Sequence, residues 1–256
     1  MRRLRAPAWS APGVIRAILA AQIALGALLV AADLNWTLPR PAAGRDVPPL
    51  DQPVRPGDQT RRYRPDTATG PQTGPLRLDH AMPDRLDIAA SSLGNRRILR
   101  LTGAIAPGDA LRFAEMLDAA SPAPSTVFLD SPGGYVADAL EIGRRIRAAG
   151  LETQMAADDI CLSACPFILA GGVRRHIEDG AQVGVHQQYF GESTLLPAFL
   201  AVADIQRGQA EVMAYLEEMG VDLRLMRPAL LTPPDSIYIL LREELEDYRL
   251  VTSGSG

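Results

Sequence analysis

The chain has 256 residues, 47% of them hydrophobic and 22% charged, which suits one medium-sized packed domain with extensions and excludes a fibre or a repeat array. Its 30 acidic residues outnumber 26 basic ones, for a formal net charge of −4, and the basic residues form no stripe, so no nucleic-acid partner is expected. Every basic residue is arginine; lysine is absent.

Arg2, Arg3, Arg5 and Arg16 precede an apolar run from Ala17 to Ala32 interrupted only by Gln22. A basic flank followed by an apolar core at the chain start is the pattern of an export signal. Counted from Val14 the run has about 20 residues, enough to cross a bilayer. Val30-Ala31-Ala32 also offers the small residues of a signal-peptidase site. A cleaved signal peptide and a retained transmembrane anchor (residues 14–32) both fit, and in either case the positive-inside bias carries everything after Asp33 across the membrane. Residues 1–32 are therefore assigned to the signal or anchor.

From 33 to 82 the chain is crowded with proline, glycine, arginine and aspartate, as in PRPAAGRDVPPLDQPVRPGDQ, and has no apolar period. A flexible linker is expected there. Residues 83–252 then alternate between strand and helix, and 253–256 form a short tail. Arg97–Ile105 alternates as a strand, and Pro107–Ala119 has helical spacing at Ala110, Phe113, Met116 and Leu117. Thr126–Leu129 is a β-branched and apolar run that ends in the turn Asp130-Ser131-Pro132-Gly133-Gly134. A helix follows on Val136, Ala139, Leu140, Ile142, Gly143 and Ile146, stopped by Gly150. Leu151–Ala156 reads as a strand, Ser163–Ala170 as a buried helix, Gln182–His186 as a strand, and Thr194–Met219 as a long helix ended by Gly220. Such alternation predicts an α/β fold with a mostly parallel sheet.

One pair of side chains suggests a reaction. A serine hydroxyl becomes nucleophilic only when a nearby base takes its proton. The chain has three histidines: His80 in the linker, His176 in GGVRRHIEDG, and His186 at the end of an apolar strand. His186 is the best placed to serve Ser163 of ICLSAC. Taken singly, a serine at a helix start also reads as an N-cap, and a histidine at a strand end as a hydrogen-bonded structural residue. Acyl transfer further needs donors aimed at a developing oxyanion. The backbone at Gly133-Gly134 and the N–H of Ala164 are suited to supply them.

In this order, RILRLTGAI, FLDSPGGYVADALEIGRRIRAAG, ICLSAC, VGVHQ and REELEDYRLVT resemble the ClpP/crotonase superfamily, and most of all exported ClpP-like serine proteases. The resemblance implies repeated β-β-α units, with Ser163 as nucleophile, His186 as general base and then acid, and the N–H groups of Gly134 and Ala164 as the oxyanion hole. It implies an acid downstream to orient the imidazole. Asp235 in TPPDSIYIL is its expected position, with Asp222 or Glu244 as alternatives if the register slips. The resemblance also implies rings of identical subunits, by analogy alone.

The chain departs from the family at Cys161 and Cys165, its only cysteines, which flank the serine. In an oxidising compartment a local disulfide is expected, two buried thiols being the alternative. Two cysteines fall short of a zinc site, and the C-x-x-x-C spacing is not that of a thiol-disulfide oxidoreductase, so neither metal nor cofactor is expected. Without lysine, the serine–lysine mechanism of signal peptide peptidase A and its kin is excluded. Acyl-CoA chemistry does not suit the compartment. The function expected is a periplasmic ClpP-like serine hydrolase, soluble or held in the inner membrane by its amino terminus, that cleaves peptides or unfolded protein segments without ATP. A non-catalytic ClpP-fold scaffold that captures a peptide by sheet-edge pairing is the alternative.

Overall fold

A computed structural model of the protein describes residues 11–37, 53–63, 82–188 and 198–252. It comprises two compact units, Met1–Asp46 and Val47–Gly256. The first contains helix α1, Ala11–Thr37. Its window Pro12–Val30 has 19 residues of mean hydropathy 2.1, none of them buried, and is long and apolar enough to cross a membrane. The helix continues five residues beyond Ala32, where the linker was expected to begin.

The second unit is an α/β fold on two sheets. The larger has strand order β2-β3-β4-β5-β7, from Asp87–Leu93, Arg96–Thr102, Thr126–Asp130, Glu152–Met155 and Arg175–Ile177. Its strands are parallel except for β2, which forms a hairpin with β3 through the two-residue turn Gly94-Asn95. The smaller sheet has the order β1-β9-β8-β6, from Thr60–Arg62, Ser236–Ile239, Gln182–Val185 and Ile160–Leu162. Within it β6 and β8 are parallel, and the other pairs are antiparallel. In β4, Thr126, Val127, Phe128 and Leu129 are all buried, the unbroken apolar run that a parallel strand covered on both faces requires. This mixed architecture agrees with the α/β class read from the sequence.

Helices α2 (Asp109–Ala119), α3 (Val136–Ala148), α4 (Cys165–Ala170), α5 (Ala198–Glu218), α6 (Met226–Leu231) and α7 (Arg242–Asp247) contribute to one continuous core with the sheets. Two buried carboxylates beside it are paired. Buried Asp109 accepts from the N–H of Ala106 and from Arg85 and Arg112, and Asp138 of α3 accepts from Ala110 N at 2.8 Å, which satisfies a free donor in the first turn of α2. At the C-terminus Thr252 exchanges hydrogen bonds with the backbone of Arg175, tying the end of the domain to β7.

The linker expectation over 33–82 is corrected at 53–63. Pro56-Gly57 turns the chain, closed by Asp58 N donating to Arg55 O at 3.1 Å, and β1 then pairs with β9. Val54 and Tyr63 pack on a second apolar cluster of Leu162, Ile237 and Ile239. The pairing uses backbone groups, which the side-chain pattern of QTRRY does not reveal. Residues 38–52 and 64–81 of the expected linker, and the tail 253–256, lie outside the described residues.

Helix α4 is fixed in place by a close approach at Gly143. Tyr215 of α5 donates from its hydroxyl to Phe167 O at 2.6 Å, and a Cβ on Gly143 would stand 1.8 Å from that hydroxyl and 2.8 Å from Phe167 O. Gly143→Ala gains about 1 kcal/mol of helix propensity but overpacks a site that costs roughly 1–3 kcal/mol to crowd. A lower denaturation midpoint is expected for this variant in the full chain; a midpoint equal to or above that of the unaltered protein would contradict this packing.

Candidate active site

The two sheets meet where the site is built. Just beyond β4, Ser131 bridges to Cys161 of β6: Ser131 N donates to Ile160 O at 2.7 Å and Leu162 N to Ser131 O at 3.0 Å. Ser163 follows β6 and precedes α4, so the expected helix over Ser163–Ala170 begins two residues late, at Cys165. Ser163 has φ 59°, in the left-handed region that a non-glycine residue enters only under constraint. Its N–H donates to Gly184 O of β8 at 2.9 Å. Cys161 and Cys165 stand at disulfide geometry across it, with an S–S separation of 1.99 Å and a Cα–Cα distance of 5.1 Å.

His186 extends from β8, one residue past its end. Its Nε2 lies 2.7 Å from Ser163 Oγ, within hydrogen-bond reach. The imidazole is buried, and burial lowers its pKa below the usual histidine value, an effect partly opposed by the nearby Pro234 carbonyl. That carbonyl favours the tautomer with the proton on Nδ1, which leaves the Nε2 lone pair for the serine proton. It does not close a hydrogen bond: Nδ1 has no bonded partner among the described residues.

The expected acid is not at this nitrogen. The Asp235 carboxylate is exposed and accepts from the Ser236 hydroxyl at 3.2 Å. The other two candidates are engaged elsewhere. Asp222 caps a 3-10 turn through Arg224 N at 2.9 Å, and Glu244 binds Tyr238, Gln59 and Leu241 N. The physical reason lies in the turn. Pro233-Pro234 presents a main-chain carbonyl toward the imidazole, and the following residue's side chain turns to solvent.

The Ser-Pro-Gly-Gly turn lies against the serine. Ser131 Oγ accepts from Gly133 N at 3.1 Å and donates to Gly103 O at 2.7 Å, which holds the turn in shape. Gly133 and Gly134 have φ 99° and 143°. A Cβ on Gly133 would sit 2.5 Å from Ser163 Cβ and 2.4 Å from Leu162 O, so the turn packs directly on the elbow. The N–H groups of Gly134 and Ala164, the expected oxyanion donors, make no hydrogen bond among the described residues. Tyr63, which sequence reasoning did not single out, packs its ring on His186 with centroids 4.7 Å apart and donates its hydroxyl to Pro132 O. Its only cue was an aromatic residue shortly after a Pro-Gly turn.

A cavity of about 140 Å³ opens beside His186, lined by Gln187, Gln188, Ile205, Gln209, Met226, Ala229 and Leu230. Among the described residues its lining carries no charge apart from any on the imidazole. A larger cavity of about 470 Å³, between Pro53-Val54 and the start of α7, contains neither Ser163 nor His186. Among the described residues no three His, Cys, Asp or Glu side chains gather as a metal-ligand set.

A disulfide that closes so short a loop constrains the unfolded chain modestly, by about 2 kcal/mol on the loop-entropy account. Cys161→Ser combined with Cys165→Ser is expected to lower the unfolding free energy by roughly that amount. In the unaltered chain, alkylation before reduction should modify neither cysteine. Alkylation of both without reductant would contradict the bond. In comparisons with known proteins, no family model and no curated protein matches this chain.

Proposed function

We propose that this protein is a ClpP-like serine hydrolase, an exported or membrane-tethered peptidase that works without ATP. The observation that carries this reading is the 2.7 Å contact between Ser163 Oγ and His186 Nε2 at a positive-φ elbow. Ser163 Oγ attacks the scissile carbonyl carbon as its proton passes to His186 Nε2. The oxyanion that forms is met by the N–H groups of Gly134 and Ala164. The C–N bond breaks as Nε2 returns the proton to the leaving amine, giving an acyl-serine. Water, losing a proton to Nε2, then attacks the ester and frees the acid and Ser163. The uncharged cavity beside His186 suits an uncharged side chain of a short or unfolded peptide.

The apolar helix α1 and the disulfide support a periplasmic place for the domain, reached either by signal cleavage or by anchoring. Val202 and Met213 of α5 and Leu231 of α6 are exposed apolar side chains available to contacts between copies in a homo-oligomer. The second reading, a non-catalytic scaffold, is favoured by one observation: no carboxylate reaches His186 Nδ1 among the described residues. A carbonyl near Nδ1 supports the imidazolium less than a bonded carboxylate does, so the enzyme is expected to be slow.

Purified full-length protein should hydrolyse short fluorogenic peptides with an uncharged residue before the scissile bond, in the absence of nucleotide. Ser163→Ala should abolish this, and His186→Ala should reduce it by on the order of 10²–10⁴. Asp235→Asn should stay within a few-fold of the unaltered protein. Because burial lowers the His186 pKa, the base is lost only as pH falls through a value below about 6.5, and the rate is flat above it. Equal hydrolysis by Ser163→Ala, or none by the unaltered protein, would remove the catalytic reading.

A further inference from the structure

We propose that Tyr63 is a positioning residue of this site, a single residue whose ring and hydroxyl hold the imidazole and the oxyanion turn while its main chain holds the Pro234 turn. The proposal rests on the reading of Ser163 and His186 as nucleophile and base. Three contacts of Tyr63 carry it. Its ring lies on the His186 imidazole at 4.7 Å between centroids, tilted by 60°. Its hydroxyl donates to the Pro132 carbonyl, in the peptide that leads into Gly133 and Gly134. Its backbone N–H donates to Asp235 O at 2.9 Å, one residue beyond the carbonyl that faces Nδ1.

Each contact fixes a different moving part. The ring limits rotation of an imidazole that no carboxylate orients. The hydroxyl ties down a turn whose glycines would otherwise leave the oxyanion donor loosely placed, and a donor is worth its electrostatic effect only when held in position. The main-chain bond keeps the turn after Pro234 against the same segment. Tyr63 is itself held because it continues β1, whose backbone pairs with β9. A residue that only filled space would need the ring and not the hydroxyl. Val54 already packs on the same small cluster.

Among the described residues, His186 meets the Ser163 hydroxyl, the Tyr63 ring and the Pro234 carbonyl, and shares a cavity with Gln209 of α5 and Met226 of α6. None is charged. Removing the ring therefore admits water to the imidazole and raises its pKa toward the ordinary value, since burial is the largest cause of its depression.

The test is the rate at which a fluorophosphonate labels Ser163 in the full chain, followed across pH for the unaltered protein, Tyr63→Phe and Tyr63→Leu. Tyr63→Phe keeps the ring and loses the bond to Pro132. It is expected to label about 10-fold more slowly, within the range seen when a reacting geometry is loosened, with the pH midpoint unchanged. Tyr63→Leu is expected to lose on the order of 10²-fold and to move the acid-limb midpoint upward. Rates and midpoints equal to the unaltered protein in both variants would overturn the proposal while leaving the nucleophile assignment intact. So would a Tyr63→Leu that is slower at an unchanged midpoint beside a Tyr63→Phe at full rate, the result of simple space-filling. If Tyr63→Leu does not fold, the Tyr63→Phe rate decides alone, and a full rate overturns the proposal. An unaltered chain that is not labelled at Ser163 would remove the nucleophile assignment and this proposal with it.

Discussion

At φ 59° Ser163 occupies a backbone conformation that costs a non-glycine residue on the order of 1–3 kcal/mol, so the surrounding structure must over-determine it. It does so from three sides. The N–H of Ser163 extends the β6–β8 pairing through Gly184 O, the Cys161–Cys165 bond spans the residue, and Gly133 packs against its Cβ. The same conformation lifts the hydroxyl out of the line of β6 and toward the histidine that leaves β8. Because β6 and β8 are parallel neighbours, their C-terminal ends deliver Ser163 and His186 to one edge of one sheet. The 2.7 Å contact between them is a consequence of that register.

The Ser-Pro-Gly-Gly turn reaches the same edge by another route. Ser131 belongs to the chain leaving β4 in the larger sheet, yet it exchanges hydrogen bonds with residues of β6 in the smaller one. That junction brings two chain segments thirty residues apart into register, and Gly133 is the residue that allows them to touch. Helix α4, held by Tyr215 and by the close approach of α3 at Gly143, sets where the N–H of Ala164 points. Core packing and site geometry are thus linked through a six-residue helix that begins two residues after the serine.

Much of this was legible in the sequence where side-chain pattern decides structure. The buried run Thr126–Leu129, the apolar face of α3 and the glycine turn between them follow from hydrophobic periodicity and turn chemistry. Ser163 and His186 could be paired because so few histidines compete for the role. Backbone-driven features were hidden. The segment containing Tyr63 reads as a charged, proline-rich linker, but its main chain pairs with β9, and Arg61, Val54 and Tyr63 are placed by that pairing rather than by any apolar period. Strands β6, β7 and β9 are three or four residues long, too short for alternation to register. Asp235 lies in the expected stretch of sequence but not at the expected point in space, because Pro233-Pro234 places a carbonyl where the carboxylate was sought.

The central claim is that Ser163 is a nucleophile held by this elbow and activated by His186. The most direct measurement is mass-spectrometric mapping of the adduct formed by a fluorophosphonate on the oxidised full-length protein at neutral pH. The account predicts a single adduct on Ser163, lost in His186→Ala although the serine remains. An adduct on another serine, or one on Ser163 that forms equally well without the imidazole, would contradict it.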